Sequence, residues 1–394
     1  MSELIPVMVL CGFLGSGKTT LLRRWKREAD LQDAVWIVHD LSEAGIDAEL
    51  LADEGADPEA GRLEGRMAAL HGVHAREHLA ESLGRVLREA AELDPAPPVV
   101  LLESTGVARP WPLVKAPAGD ARFFLRHFIV TVDALNLHRD FADGALLADG
   151  AETHDPALAH AAGVLAEQLA FASVIVLTKT DTQPREVLDH QLRILRALRP
   201  GVAIAFSSHG GLLPGQLEGI PAPRKSVMAS RARKLGLPDR DVTLSGVECT
   251  VFREQRPFHP QRLYEVCRRK LGTGLYRAKG FLWMASRPGQ VLLWQQSGSQ
   301  VALEMTGIWR AEIAANRDGR LLPEELEILA ERLRDAHPVF GDRHQELSLI
   351  GLRQAREDFE KALRGALCTD DEVEAWLRGE EFPDPWPRTI RRIS

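Results

Sequence analysis

Short runs of apolar residues alternate with segments of helical periodicity over the first half of the chain. The apolar runs are 4–10, 34–38, 99–102, 128–132, 174–177 and 202–206. Apolar positions at helical spacing cover 19–29, 77–92, 158–171 and 185–198. A continuous apolar run indicates a strand buried on both faces, and the helices between the runs provide the crossovers that parallel strands need. The pattern predicts an α/β domain with a parallel sheet covered by helices on both faces.

The pattern changes after residue 211. Residues 212–240 contain four prolines and a loose run of basic side chains, which is typical of a connector. Beyond it, strand patterns cover 243–252, 280–285, 291–296 and 347–350, and helical patterns cover 260–271, 323–334 and 352–367. A chain of 394 residues also exceeds what one core usually serves. We therefore predict a first domain over 1–211, a linker over 212–241 and a smaller α+β domain over 242–394.

Composition and charge argue against several classes of binding partner. The net charge of −7 gives a surface that repels nucleic acid, so any phosphate binding has to come from a local site. No apolar run approaches the ~20 residues of a membrane helix. The four cysteines, which are far apart and form no C-x-x-C pair, argue against a disulfide scaffold and against a local thiolate metal site. We expect a cytoplasmic protein with neither nucleic acid nor membrane as partner.

A phosphate-binding loop follows the first predicted strand. Residues 12–19, Gly-Phe-Leu-Gly-Ser-Gly-Lys-Thr, match the P-loop pattern G-x-x-x-x-G-K-[ST]. Its glycines let successive backbone N–H groups turn toward phosphate oxygens, Lys18 can reach the β- and γ-phosphates, and the Thr19 hydroxyl can bind Mg²⁺. A helix beginning at the loop presents its positive end to the anion. The predicted phosphate-binding residues are Gly12, Gly15, Ser16, Gly17, Lys18, Thr19 and Thr20.

An acidic residue follows the third apolar run. The run 99–102 places Glu103 at the tip of a strand, where open α/β sheets bind their ligands. We predict that Glu103 serves the Mg²⁺ shell or orients the attacking water. The alternative is a strand-end carboxylate in solvent.

A motif after the fifth run indicates guanine. Thr178, Lys179 and Asp181 come directly after the apolar run 174–177. A carboxylate accepts hydrogen bonds from N1–H and the 2-amino group of guanine, whereas adenine offers neither donor there. The stem of Lys179 can cover the face of the base. The usual first residue of such a motif is Asn, and Thr178 in its place leaves an ATPase as the competing hypothesis.

Several segments together resemble the CobW family of GTPases. The resembling segments are 6–22, 103–106, 132–134, 168–172 and 177–181 in the first half, and 256–260, 277–283 and 340–343 in the second. The resemblance implies a slow, Mg²⁺-dependent GTPase in which Lys18 stabilises the transferred phosphoryl group. It also implies coupling to metal delivery, or to maturation of a client protein that the C-terminal domain would recognise.

The chain departs from this family at its thiolate motif. The family's C-x-C-C would fall at about Leu70, Gly72 and Val73, and no cysteine lies between Cys11 and Cys249. Thiolate binding of a soft metal is therefore impossible there, and zinc is doubtful. The weak replacement candidates His71, His74 and His78 share one helical face at i, i+3 and i+7, and His39 is a further candidate. Two alternatives stay open beside the GTPase switch: a nucleotide-gated interaction protein without metal function, and a histidine-based zinc metallochaperone.

Overall fold

The computed structural model shows two compact units, Met1–Val247 and Glu248–Ser394. The residues that it describes are 4–40, 62–71, 79–147, 155–236, 247–271, 274–297, 300–315, 323–387 and 391–392. Within these residues, no helix is both long and apolar enough to span a membrane. The cytoplasmic location stays a prediction.

The first unit is built on one eight-stranded sheet. Its strands are β1 Ile5–Cys11, β2 Val35–His39, β3 Leu63–Glu64, β4 Met67–Leu70, β5 Val100–Glu103, β6 Phe123–Asp133, β7 Val174–Thr178 and β8 Ala203–Ser207. Its helices are α1 Lys18–Trp25, α2 Leu79–Ala91, α3 Pro110–Ala118, α4 Ala134–Arg139, α5 Pro156–Phe171, α6 Arg185–Leu198 and α7 Lys225–Lys234. Every residue of β2, β5 and β7 is buried, as the continuous apolar runs require.

The strand order is β3-β4-β2-β5-β1-β6-β7-β8. All neighbouring pairs are parallel except β3 and β4, which form an antiparallel pair at one edge. The α/β prediction is therefore confirmed. Because parallel strands end at one edge of the sheet, the segments that follow β1, β5, β6 and β7 meet there, and the predicted site residues lie in them.

Residues 212–236 differ from the connector that we expected. The indole Nε1 of Trp25 donates to the carbonyl of Leu212 (2.7 Å). Helix α7 buries Met228 and Ala232 and packs against α3 and α5. These two residues, four apart on one face, provide the apolar contact, although the surrounding residues are basic or polar. This segment belongs to the first unit, and the predicted boundary at 242 lies outside the described residues.

The second unit contains a six-stranded sheet in the order β14-β12-β11-β10-β13-β9. Its strands are β9 Val247–Glu254, β10 Leu275–Leu282, β11 Gln290–Ser297, β12 Gln300–Ile308, β13 Gln345–Leu352 and β14 Arg391–Arg392. Its helices are α8 Pro260–Lys270, α9 Arg310–Ala315, α10 Pro323–Arg332, α11 Arg353–Ala366 and α12 Asp370–Leu377. The core contains Phe252, Phe258, Trp294 and Phe359. The α+β prediction is confirmed, and β12, β14, α9 and α12 add to the elements that the pattern indicated.

Candidate functional site

The P-loop turns sharply as soon as β1 ends. Gly12 has φ +139°, and a Cβ atom on it would lie 2.3 Å from the carbonyl oxygen of Thr131. Only glycine fits this close approach between β1 and β6. The Ser16 hydroxyl is 2.6 Å from the Thr131 hydroxyl, which ties the middle of the loop to the same strand. The loop is therefore fixed to β6 at two points.

Lys18 is buried within the loop that it closes. Its Nζ donates to the carbonyl oxygens of Gly12 (2.7 Å) and Phe13 (3.2 Å). These two carbonyls orient the ammonium group. A preorganised cation in a loop of backbone N–H groups is suited to a phosphate ligand.

Thr19 and Glu103 come together as predicted. The Thr19 hydroxyl donates to Glu103 Oε1 at 2.7 Å, and Glu103 is buried at the end of β5. A hydroxyl and a carboxylate are the hard oxygen ligands that Mg²⁺ prefers. The two side chains therefore fit the magnesium site that we predicted for them.

The loop after Glu103 lies directly on the P-loop. The N–H of Ser104 donates to the carbonyl of Leu10 (2.9 Å). A Cβ atom on Gly106 would be 2.4 Å from the backbone nitrogen of Leu14. On its other side, the loop accepts hydrogen bonds from Gln168 of α5. The sequence included Gly106 and Gln168 only in segments of family resemblance and gave neither a role.

The same loop has an ionic anchor on α5. Arg109 Nε lies 4.0 Å from Glu167 Oε2, and both side chains are largely shielded from solvent. Burial raises the pKa of the Glu167 carboxyl, and the charge of Arg109 opposes that rise. The loop is thus held to α5 by two adjacent residues of that helix.

Thr178 connects the predicted base motif to the P-loop. Its hydroxyl is buried and lies within donating distance of the carbonyls of Ser16 (2.8 Å) and Val132 (3.2 Å). A hydroxyl has one hydrogen to donate, so this side chain is committed to the backbone. Thr178 therefore positions the loop, and the structure gives it no free donor for a base.

Lys179 and Asp133 form a second link. Lys179 has φ +54°, and its Nζ is 2.5 Å from Asp133 Oδ2. Asp133 also caps α4 by accepting from the N–H groups of Leu135 and Asn136. This contact fixes the direction of the lysine stem. Asp133 was part of a resembling segment, without a predicted role.

Asp181 lies at the open end of the motif. Its side chain is 39% exposed, and its Oδ2 lies 3.4 Å from Nε2 of His209. Thr180 and Ser208 approach within 3.0 Å through their hydroxyl groups. Ser208 and His209 follow β8, and their position after the last apolar run was the signal that could have identified them. Asp181 is accessible to a ligand, as guanine recognition requires.

The histidine candidates are only partly described. His39 is the last residue of β2 and pairs in register with Leu70, so His39 and His71 lie at the ends of neighbouring strands. His74 and His78 lie outside the described residues. Across the described residues, no group of three or more histidine, cysteine, aspartate or glutamate side chains is arranged to hold a metal ion.

The cysteine environments disfavour free thiolates. Burial raises the pKa of the Cys11 thiol, and it raises the pKa of Cys267 and of Cys368 to about 12. In the absence of a metal ion, these three thiols therefore stay protonated in their present surroundings.

Comparison with known families decides the classification. Residues 6–206 match the CobW/HypB/UreG nucleotide-binding domain, and residues 247–367 match the cobalamin synthesis protein CobW C-terminal domain. The chain belongs to the CobW family. The predicted family and the two-part fold class are therefore confirmed, and membership in a P-loop nucleotide-binding family supports GTP as the ligand.

Individual CobW relatives extend over different parts of the chain. The zinc-regulated GTPase metalloprotein activator 1 of Dictyostelium discoideum is 26% identical, over 98% of this chain and 83% of its own length. The zinc chaperone CobW of Pseudomonas aeruginosa is 30% identical, over 55% of this chain and 60% of its own. The Zn(II)-bound YjiA GTPase of E. coli is 19% identical, with a TM-score of 0.39, over 93% of this chain and 100% of its own. The Dictyostelium and Pseudomonas proteins are both named for zinc, so these two relatives do not support our expectation that zinc is doubtful.

Proposed function

We propose that this CobW-family chain hydrolyses GTP slowly with Mg²⁺ and acts as a switch that delivers metal to, or matures, a client protein. The observation that carries the proposal is the contact between Thr19 and Glu103 beside the buried ammonium of Lys18. It brings a phosphate-binding cation and a Mg²⁺-type oxygen pair to the mouth of one loop.

Each residue has a separate task in this mechanism. Lys18 stabilises the charge that develops on the transferred phosphoryl group, and the backbone N–H groups of the loop position the phosphates. Thr19 and Glu103 would hold Mg²⁺, which would supply neutralisation of the phosphate charge. Glu103 is also the carboxylate that can orient the attacking water. Slow turnover is expected because no arginine finger is assigned.

Guanine preference is the first expected result. Calorimetry should give tighter binding of GDP than of ADP, because Asp181 is exposed and its carboxylate would accept from guanine's two donors. Asp181→Asn should reduce the preference about tenfold or more, since an amide N–H would face the N–H groups of guanine. Asp189→Asn, an exposed aspartate of α6, is the matched control and should leave the preference unchanged. ADP binding as tight as GDP binding would favour the ATPase hypothesis.

Zinc content is the second expected result. The relatives' names favour zinc as the cargo, but the family's thiolate motif is absent, since no cysteine lies between Cys11 and Cys249. We expect untagged protein to carry no stoichiometric zinc by elemental analysis. Chelators should leave GTP hydrolysis unchanged once Mg²⁺ is resupplied.

The opposite results would identify the alternatives. One tightly held zinc per chain that is lost on changing His71, His74 and His78 to Ala would support the histidine-based metallochaperone. Absence of zinc under every nucleotide condition, with client binding that depends on GTP, would support the interaction protein without metal function. A titration with Zn²⁺ in the presence and absence of GTP separates the two.

A further inference from the structure

One buried glutamine is hydrogen-bonded to the loop that follows Glu103. Gln168 lies on α5 and is 0% exposed. Its Nε2 donates to the carbonyl oxygens of Gly106 (3.0 Å) and Ala108 (3.1 Å). One side chain thus uses both amide hydrogens to hold two carbonyls of the same loop.

The loop is confined between this glutamine and the P-loop. Gly106 leaves no room for a Cβ atom against Leu14, and Ser104 is bonded to the end of β1. A shift of α5 or a loss of the Gln168 bonds would therefore change the spacing between the loop and the phosphate site. Interiors packed this closely transmit such displacements.

Binding of the γ-phosphate depends on the spacing between this loop and the phosphate site more than binding of the other parts of a nucleotide does. Glu103 precedes the loop and accepts from Thr19, and these two side chains would hold the Mg²⁺ that neutralises triphosphate charge. A diphosphate lacks the γ group. We propose that Gln168 is a positioning residue that sets the loop 104–108 for the triphosphate and so supports hydrolysis and the discrimination of GTP from GDP. This inference rests on the proposed GTPase function.

The decisive variant is Gln168→Met, which keeps the side-chain volume and removes both donors. Calorimetry should measure GDP and a non-hydrolysable β,γ-imido GTP analogue, and single-turnover assays should measure hydrolysis. GDP affinity should stay within about threefold of wild type. Affinity for the analogue and the hydrolysis rate should fall about ten- to a hundredfold, since two buried carbonyls lose their donors.

Gln345 offers a matched control in the second unit. It is also 0% exposed, and its Nε2 donates to the carbonyls of Arg256 (2.7 Å) and Trp283 (3.0 Å). Gln345→Met should lower the melting temperature while leaving the ratio of analogue to GDP affinity unchanged. This control separates loss of stability from loss of loop position.

Gln168→Glu provides an independent signature, and it decides the matter if Gln168→Met fails to fold. An ionised carboxylate would face two carbonyls without a donor, whereas the protonated acid donates one hydrogen bond. The ratio of analogue affinity to GDP affinity should be measured for the variant and for wild type at each pH. The ratio of the variant should approach that of wild type as the pH falls.

Three outcomes are distinguishable. A folded Gln168→Met protein with the wild-type affinity ratio would overturn the inference, whether both affinities are unchanged or both fall equally. A Gln168→Glu ratio that does not change with pH would also count against it. If wild-type protein hydrolyses no GTP, the proposed function fails, and the affinity ratio still tests the role of Gln168.

Discussion

Replacing Lys18 with alanine is expected to abolish detectable GTP hydrolysis while the protein stays folded. The ammonium group is the cation that the loop holds on the carbonyls of Gly12 and Phe13. Removing one preorganised group that stabilises transition-state charge costs about 10²–10³-fold in rate. The shape of the loop comes from its glycine backbone and from the Ser16–Thr131 contact, and neither needs the lysine.

Phosphate release and far-UV circular dichroism should be measured on the same preparations. Lys361→Ala is the control, because this lysine is exposed on α11 of the second unit. It should hydrolyse GTP at the wild-type rate. Turnover of Lys18→Ala above about a tenth of wild type would remove Lys18 from the mechanism.

Gly106→Ala should reduce hydrolysis by about two orders of magnitude. The added methyl would lie 2.4 Å from the backbone nitrogen of Leu14 and 2.6 Å from its side chain. Because ordinary carbon contacts need about 3.5 Å, the loop or the P-loop has to move by about 1 Å. A displacement of this size at a catalytic site costs about 10²-fold in rate.

Gly163→Ala is the matched control. Gly163 is an exposed residue of α5, and a Cβ atom there would meet nothing within 4 Å. Alanine in a helix interior is favoured over glycine by about 1 kcal/mol, so this variant should be unchanged or slightly more stable. Steady-state kinetics and thermal melts decide the comparison, and wild-type rates in Gly106→Ala would show that the loop yields without consequence.

Local sequence signals were sufficient for six of the eight strands of the first unit and for the P-loop, whereas strands β3 and β4, at one edge of the sheet, were not predicted. The apolar run 174–177 became β7 Val174–Thr178, and residues 12–19 formed the expected loop, because each signal lies in consecutive residues. The apolar run 128–132 predicted too short a strand, since β6 begins at Phe123. Arg126 and His127 interrupt the apolar pattern, yet His127 is buried and Arg126 donates to the carbonyl of Ile220 (2.8 Å).

Contacts between distant residues were not predictable in this way. Ser16 and Thr131 are 115 positions apart, and Gln168 lies 62 positions from Gly106. Spacing along one sequence carries no information about such pairs, because they arise only when the parallel strands align. Helix α3 was missed for a different reason: its three prolines, Pro110, Pro112 and Pro117, resemble a loop signal, although proline at the first helical position is favourable.

The packing of α7 has a consequence for how this architecture could be recombined. Lys225 donates to the carbonyl of Ala118, and Met228 and Ala232 are buried, so the helix is part of the nucleotide-binding half. An exchange of halves between relatives that joined the chains at residue 211 would leave this helix attached to a foreign partner. Such a join would also separate Trp25 from its own Leu212, whose carbonyl accepts from the Trp25 indole. The exchangeable module therefore extends at least through Lys234.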